Sequence, residues 1–324
     1  MTSLRKLEHD RTRADLASVE ALLDQLSDED VMMRLGLESR REELIAEIQG
    51  LDDQEETTAS AALFFGGRPV AGNRGIESEF GGSAVTKFQD LVAKLLAREI
   101  GGLGQRGVVP NKDAATLHIT NVVRGSFGFL LEEIEPQHQL VKTALKSAVD
   151  DASQLLRAFA EPNDEKFQEA VEAVDDRIVT TAREFFGLMR QSGATLRLVS
   201  GESDNSFGAD AVARAAERAD TTAVEDAEQT MEGQLGGFLP DAHQFEFRTA
   251  GPSGTIHGKV DRTLSASELA DFNRRFVNVP AKIQLRVKRV RRNGHIVRES
   301  FTLLKLEPAD DSSATGVPHN DAAP

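Results

Sequence analysis

The densest chemistry in the sequence is positive charge. Lys282, Arg286, Lys288, Arg289, Arg291, Arg292 and Arg298 stand within one short run that contains no Asp or Glu. Residues 226–308 hold thirteen Lys/Arg against ten Asp/Glu, a net of +3, which leaves −18 on the rest of a chain whose total is −15. Gln284, Arg286 and Lys288 alternate with Ile283, Leu285 and Val287, so on a strand they share one face. Cations gathered this way recognise carboxylates or phosphates. The same residues also keep a hairpin soluble and guard a sheet edge against aggregation. A protein partner or self-association is the leading expectation, nucleic acid the alternative, and no membrane is expected.

Two glycine-rich loops are the next candidates. Gly66-Gly67-Arg68-Pro69-Val70-Ala71-Gly72-Asn73-Arg74-Gly75 follows a short apolar strand and precedes a helix. Backbone amides near Gly67 and Gly72, with Arg68 and Arg74, could hold an anion there. The loop lacks the lysine and Ser/Thr of a P-loop, and glycine also serves tight turns. Gly102-Leu103-Gly104-Gln105-Arg106-Gly107 fits a dinucleotide fingerprint in spacing. It follows a helix rather than a strand, so its glycines read as a helix stop.

Other chemistry is thin. The seven histidines show no metal-binding spacing, and no Gly-x-Ser-x-Gly elbow exists. Paired acids such as Asp150-Asp151 and Asp175-Asp176 read as solvated helix faces. Without cysteine there is no disulfide, thiolate nucleophile or thiolate metal site. The reading leans away from an enzyme and expects no cofactor and no metal. It favours a non-enzymatic binding or scaffold protein, with nucleic-acid association second and an enzyme or sensor for an anionic ligand at the Gly66–Gly75 loop third.

Composition sets the frame. The 324 residues carry no Trp and no Tyr but seventeen Phe, so the usual amphipathic interface anchors are missing. No apolar run is long enough to span a bilayer, and the N-terminus lacks a secretory apolar core. A cytoplasmic protein is expected, and the excess of Arg over Lys reads as a GC-rich bacterial coding bias.

The elements that must position these groups follow from periodicity, and they give a helix-rich α+β chain. Residues 1–56 read as an αα-hairpin or short coiled coil, with Leu37, Leu44 and Leu51 seven apart. Residues 57–200 read as a central α+β domain. It holds strands near 61–65, 116–123, 127–131 and 194–199, a helix near 83–98, and two long helices near 137–160 and 164–191. A connecting helical segment spans 201–225. Residues 226–308 read as strand, strand, strand, helix, strand, strand, an order that resembles the five-stranded OB barrel. Ser265-Ala266-Ser267-Glu268 predicts a capping box, and Asn293-Gly294 a hairpin turn. The apolar pattern calls for a β-bulge near Lys288-Arg289, which would set Leu285 opposite Phe301 and Ile283 opposite Leu303. Residues 309–324 are expected to be disordered.

Overall fold

The computed structural model describes residues 4–27, 30–52, 56–100, 102–104, 106–123, 127–134, 141–249 and 254–309. The expected tail from residue 310 onward lies outside them. The described residues form eight α-helices and two five-stranded sheets. The chain divides into two compact units, Met1–Thr222 and Ala223–Pro324.

The first unit opens with α1 (Arg5–Gln25) and α2 (Val31–Asp52), packed as a helical hairpin. Its sheet comprises β1 (Ser60–Gly67), β2 (His118–Val123), β3 (Phe127–Glu132), β4 (Ala194–Ser200) and β5 (Ser203–Phe207), in the order β2-β3-β1-β4-β5. Every neighbouring pair is antiparallel. The central strand β1 is covered on both faces, which explains its unbroken apolar run Ala61-Ala62-Leu63-Phe64-Phe65. Ala62 and Phe64 pack with Leu130, Val199 and Leu4, the residue that caps α1. Phe65 meets Phe80 edge to face from α3 (Ser78–Ile100).

The long-helix expectations need correction. The helix predicted from 137 begins only at Ala144, giving α4 (Ala144–Ala160). The Thr143 side chain accepts the Lys146 backbone N–H, and its own N–H donates to the Thr57 carbonyl at 2.9 Å. That cap overrides the apolar spacing that continues back to Val141, which is 75% exposed. The helix predicted over 164–191 is two helices, α5 (Asp164–Glu172) and α6 (Asp176–Ser192). At the break the Arg98 guanidinium donates to the Ala173 carbonyl. A buried Phe cluster joins these helices, with Phe159 edge to face on Phe167 and stacked on Phe186. Within the supposed connecting helix, Ser203–Phe207 is the strand β5, and only α7 (Ala209–Thr221) is helical.

The second unit comprises β6 (Thr222–Leu239), β7 (Gln244–Thr249), β8 (Thr255–Val260), α8 (Ala266–Phe276), β9 (Pro280–Arg292) and β10 (His295–Pro308). The sheet order is β10-β8-β7-β6-β9, and β9 also pairs β10, so the sheet closes on itself. Its core gathers Leu235, Phe245, Phe247, Leu285 and Leu303, with Leu269 and Phe276 entering from α8. The capping box forms in full, with Ser265 and Glu268 each bonding the other's backbone N–H.

Register in the last hairpin differs from expectation. Asn293 and Gly294 both take positive φ, as a tight two-residue turn requires. The extra residue sits on β10 rather than near Lys288-Arg289 on β9. Pairing runs Ile296 with Arg291, passes over Val297, and resumes with Arg298 opposite Val290. Leu285 therefore faces Leu303, and Val287 faces Phe301. A second irregularity passes over Leu304, so Ile283 faces Leu306. Residues three apart on a regular strand point to opposite faces. The shift at Leu304 is what lets both Leu303 and Leu306 enter the core.

Candidate functional site

The basic ribbon lies on the hairpin of β9 and β10. Ala281, Ile283, Leu285 and Val287 fill the core of the second unit, and this forces Lys282, Gln284, Arg286 and Lys288 onto the opposite face. Arg286 is exposed, while Lys282 and Lys288 are half-buried. The positive field is felt nearby. Asp261 is held below the ordinary carboxylate value mainly by the Thr263 backbone N–H, with Arg286 adding to the effect. Glu307 is lowered mainly by its hydrogen bond from Lys305, with Lys282 contributing.

The remaining cations have other positions. Arg289 Nε lies 2.6 Å from Glu299. Arg291 Nε lies 2.8 Å from Glu225 and its guanidinium also donates to the Gly294 carbonyl. Arg292 and Arg298 flank the turn, and these two and Lys288 make further interactions within the molecule. The seven residues thus do not form one uniform patch. Lys282, Arg286 and Lys288 make a stripe along β9, with Gln284 between them donating to Glu228 at 2.8 Å, while Arg289 and Arg291 pair with Glu299 and Glu225.

The Gly66–Gly75 loop is built for turning and close approach. A side chain at Gly67, where φ is +85°, would run into the Gly193 carbonyl oxygen at the end of α6. The Arg68 backbone N–H donates to that same carbonyl at 3.1 Å, and its guanidinium donates to the Gln191 carbonyl at 2.9 Å. The Ala71 and Arg74 amides bond within the loop, to Gly75 and Ala71. Gly72 supplies a positive φ, and Arg74 is exposed. These bonds serve the loop and the end of α6. In the second loop, Arg177 donates to the carbonyls of Gly104 and Gly107, opposite in polarity to a phosphate site.

Two features of the first unit carried no sequence signal. The first is a buried ion cluster at the root of the helical hairpin. Lys146, whose side chain is 3% exposed, places Nζ 2.6 Å from Asp150 and 3.6 Å from Glu56. Ser200 donates to Asp150 at 3.0 Å, and the Arg5 backbone N–H donates to Glu56 at 3.1 Å. Asp150, expected on a solvated face, is instead a member of this cluster. The second is a cleft of about 650 Å³ running beside β5, walled by the end of α4, by α7 and by Lys6 of α1. Its lining includes Arg157, Glu161, Glu202, Asp204, Asn205 and Arg214. Among the described residues, no group of His, Asp or Glu is arranged to hold a metal ion, and no helix is long and apolar enough to cross a membrane.

Compared with protein-family models, curated proteins and solved structures, the chain matches none.

Proposed function

We propose that the protein is a non-catalytic binding protein that holds an acidic partner protein on the outward stripe of β9. The observation that carries this reading is the strict division of β9, with Ala281, Ile283, Leu285 and Val287 inward and Lys282, Arg286 and Lys288 outward. A rigid strand whose inner face is locked by the core presents its cations at fixed spacing, which lowers the ordering cost of binding. Lys282 and Arg286 each feel one acid of their own unit, Glu307 and Asp261, and Arg286 stands exposed on the outward face, where it can meet a carboxylate-rich surface.

A second reading has its own support. The strand order, the parallel pairing of β8 with β10, and α8 between β8 and β9 resemble the OB barrel. In that fold the connection between the fourth and fifth strands is a nucleic-acid-binding loop. Here that connection is the Asn293-Gly294 turn, bordered by Arg291, Arg292 and Arg298. Against it stands the lack of stacking groups. The chain has no Tyr or Trp, and Phe238, Phe245, Phe247 and Phe276 are buried. A small-anion enzyme or sensor at Gly66–Gly75 has less support, because the Arg68 guanidinium and the Arg68, Ala71 and Arg74 amides bond within the molecule.

The test uses the full chain, with labelled polyglutamate and a labelled single-stranded oligonucleotide followed by anisotropy across a salt series. The expected result is salt-sensitive polyglutamate binding that the Lys282→Glu/Arg286→Glu variant abolishes, with weaker oligonucleotide binding. Tighter oligonucleotide binding, with a salt slope that falls in the variant, would move the conclusion to the second reading. No binding of either probe at low salt would remove both.

A further inference from the structure

The two edges of the first unit's sheet are treated differently. At one edge, β2 carries a register shift between Ile119 and Asn121, a bulge of the kind that blunts edge pairing. At the other edge, β5 pairs β4 without interruption from Leu196 opposite Phe207 to Ser200 opposite Ser203. On its far side no described strand pairs with it. It contains no proline, lysine or bulge, and its one charged residue, Asp204, is paired with Arg197. The whole of β5 lies along the cleft. An unpaired, regular strand edge at the floor of a cleft is the geometry of strand addition.

Side chains fix β5 in this role. Asn205 and Phe207 are buried beneath the helices, with Asn205 donating to Ser153 at 3.0 Å and Phe207 against Phe186. On the other face Asp204 is clamped by the Arg197 guanidinium through two bonds, at 2.9 and 2.6 Å. The strand is anchored from both faces, so its edge is preorganised rather than adaptable.

The charges along the cleft say which peptide it takes. Its three acids are answered by cations outside the lining: Glu202 by Arg5, Asp204 by Arg197 and Glu161 by Lys166. Lys6 is paired with Asp10. Arg157 is 59% exposed and touches only the rim of Glu161, at 3.9 Å. Arg214 donates through Nε to the Ala160 carbonyl, so its terminal nitrogens are open to a ligand. The two guanidinium groups, from α4 and from α7, both line the cleft and favour a carboxylate, which a guanidinium can hold by paired hydrogen bonds.

We propose that this cleft is a docking site for an extended acidic peptide, which joins the sheet as a strand beside β5 and places a carboxylate on Arg157 and Arg214. This site is separate from the stripe on β9 and does not depend on it. The test uses the full chain carrying Lys282→Glu/Arg286→Glu, so acidic peptide cannot be held by the stripe. A labelled alternating Val/Glu peptide of about seven residues is the probe, sized to a strand of ordinary length. Three results are expected. The peptide binds, and amides within Ser203–Phe207 become more slowly exchanging. A backbone N-methylated copy binds at least tenfold more weakly. Arg157→Ala/Arg214→Ala weakens binding about tenfold or more while Phe207 and its neighbours keep their basal exchange. The proposal is overturned if the N-methylated copy binds equally well, if binding leaves β5 exchange unchanged, or if no binding is detected. A Val/Lys peptide binding as well as Val/Glu would overturn the choice of an acidic partner.

Discussion

Replacing Lys146 by Met tests whether the ion cluster at the hairpin root holds the first unit together. Methionine keeps most of the aliphatic stem and removes only the ammonium, so the loss reports charge rather than packing. Without the ammonium, Asp150 and Glu56 face each other with their shared counter-charge gone. Orphaning a buried charge costs about 3–5 kcal/mol. Asp150 and Glu56 are 29% and 17% exposed, so water recovers part of this, and the expected loss is at the lower end, about 3 kcal/mol. With a urea slope of about 2 kcal/mol/M, the midpoint falls by roughly 1.5 M. Intrinsic fluorescence cannot follow this, since the chain has no Trp or Tyr. Far-UV circular dichroism can, because α1 to α7 belong to the first unit and only α8 to the second. Lys146→Met/Asp150→Asn should recover a substantial part of the loss by removing one of the orphaned charges. A single variant within about 1 kcal/mol of the parent, or a double variant no better than the single, refutes the reasoning.

Two further outcomes are expected. Gly258→Ala should destabilise the second unit by about 1–3 kcal/mol, because a Cβ there meets the Phe301 carbonyl oxygen and approaches the Phe245 ring to 2.6 Å. Gly75→Ala, with nothing within 4 Å, is its control and should be near neutral by thermal melting. Asp204→Asn should flatten the acid limb of the first unit's stability profile. The bond from Arg197 lowers the Asp204 pKa in the folded state, so the stabilisation is present above the unfolded value and is lost as pH falls through the folded one. The pair is partly exposed, so the difference stays below about 1 kcal/mol and shows below about pH 4 in urea titrations at stepped pH.

What the sequence made legible is what periodicity encodes. The hairpin of α1 and α2, the apolar run of β1, the Ser265 capping box and the Asn293-Gly294 turn each carry a local signature that tertiary context leaves alone. The misses have particular causes. β5 reads Ser-Asp-Asn-Ser-Phe, and an edge strand with one partner needs few apolar residues, so no alternation marks it. Helical spacing runs back to Val141 and so predicts an earlier start for α4 than the one the Thr143 cap sets. One insertion on either strand repairs the apolar pattern, so spacing alone does not choose between β9 and β10; the structure skips Val297 and then Leu304 on β10, and the second skip lets Leu303 and Leu306 both be buried. The ribbon residues were all visible, but their division was not. Whether Arg289 meets Glu299, or Arg291 meets Glu225, depends on pairings between strands that linear spacing does not state. Lys146 and Asp150 stand four apart on α4, the spacing of an ordinary surface ion pair. What buries them arrives from Glu56 and Ser200, far away in the chain.

The two units leave different means of recognition open, and the difference follows from how each manages its sheet edges. The second unit's sheet closes, so every strand has a neighbour on each side and no strand is wholly free for a partner to pair with. Its contacts then fall mainly to side chains, and on β9 those side chains are cations. The first unit's sheet is open and keeps β5 regular along a cleft, so backbone pairing is available there and the cleft arginines add to it. Side-chain attraction at an exposed face is screened by salt, and hydrogen bonds along a strand edge are screened less. A partner held by β9 should therefore leave as ionic strength rises, whether or not its backbone N–H groups are methylated, and one held by β5 should leave when those groups are methylated at constant salt. A β9 partner that methylation releases, or a β5 partner that it does not, would mean that charge and backbone do not divide recognition between the two units in this way.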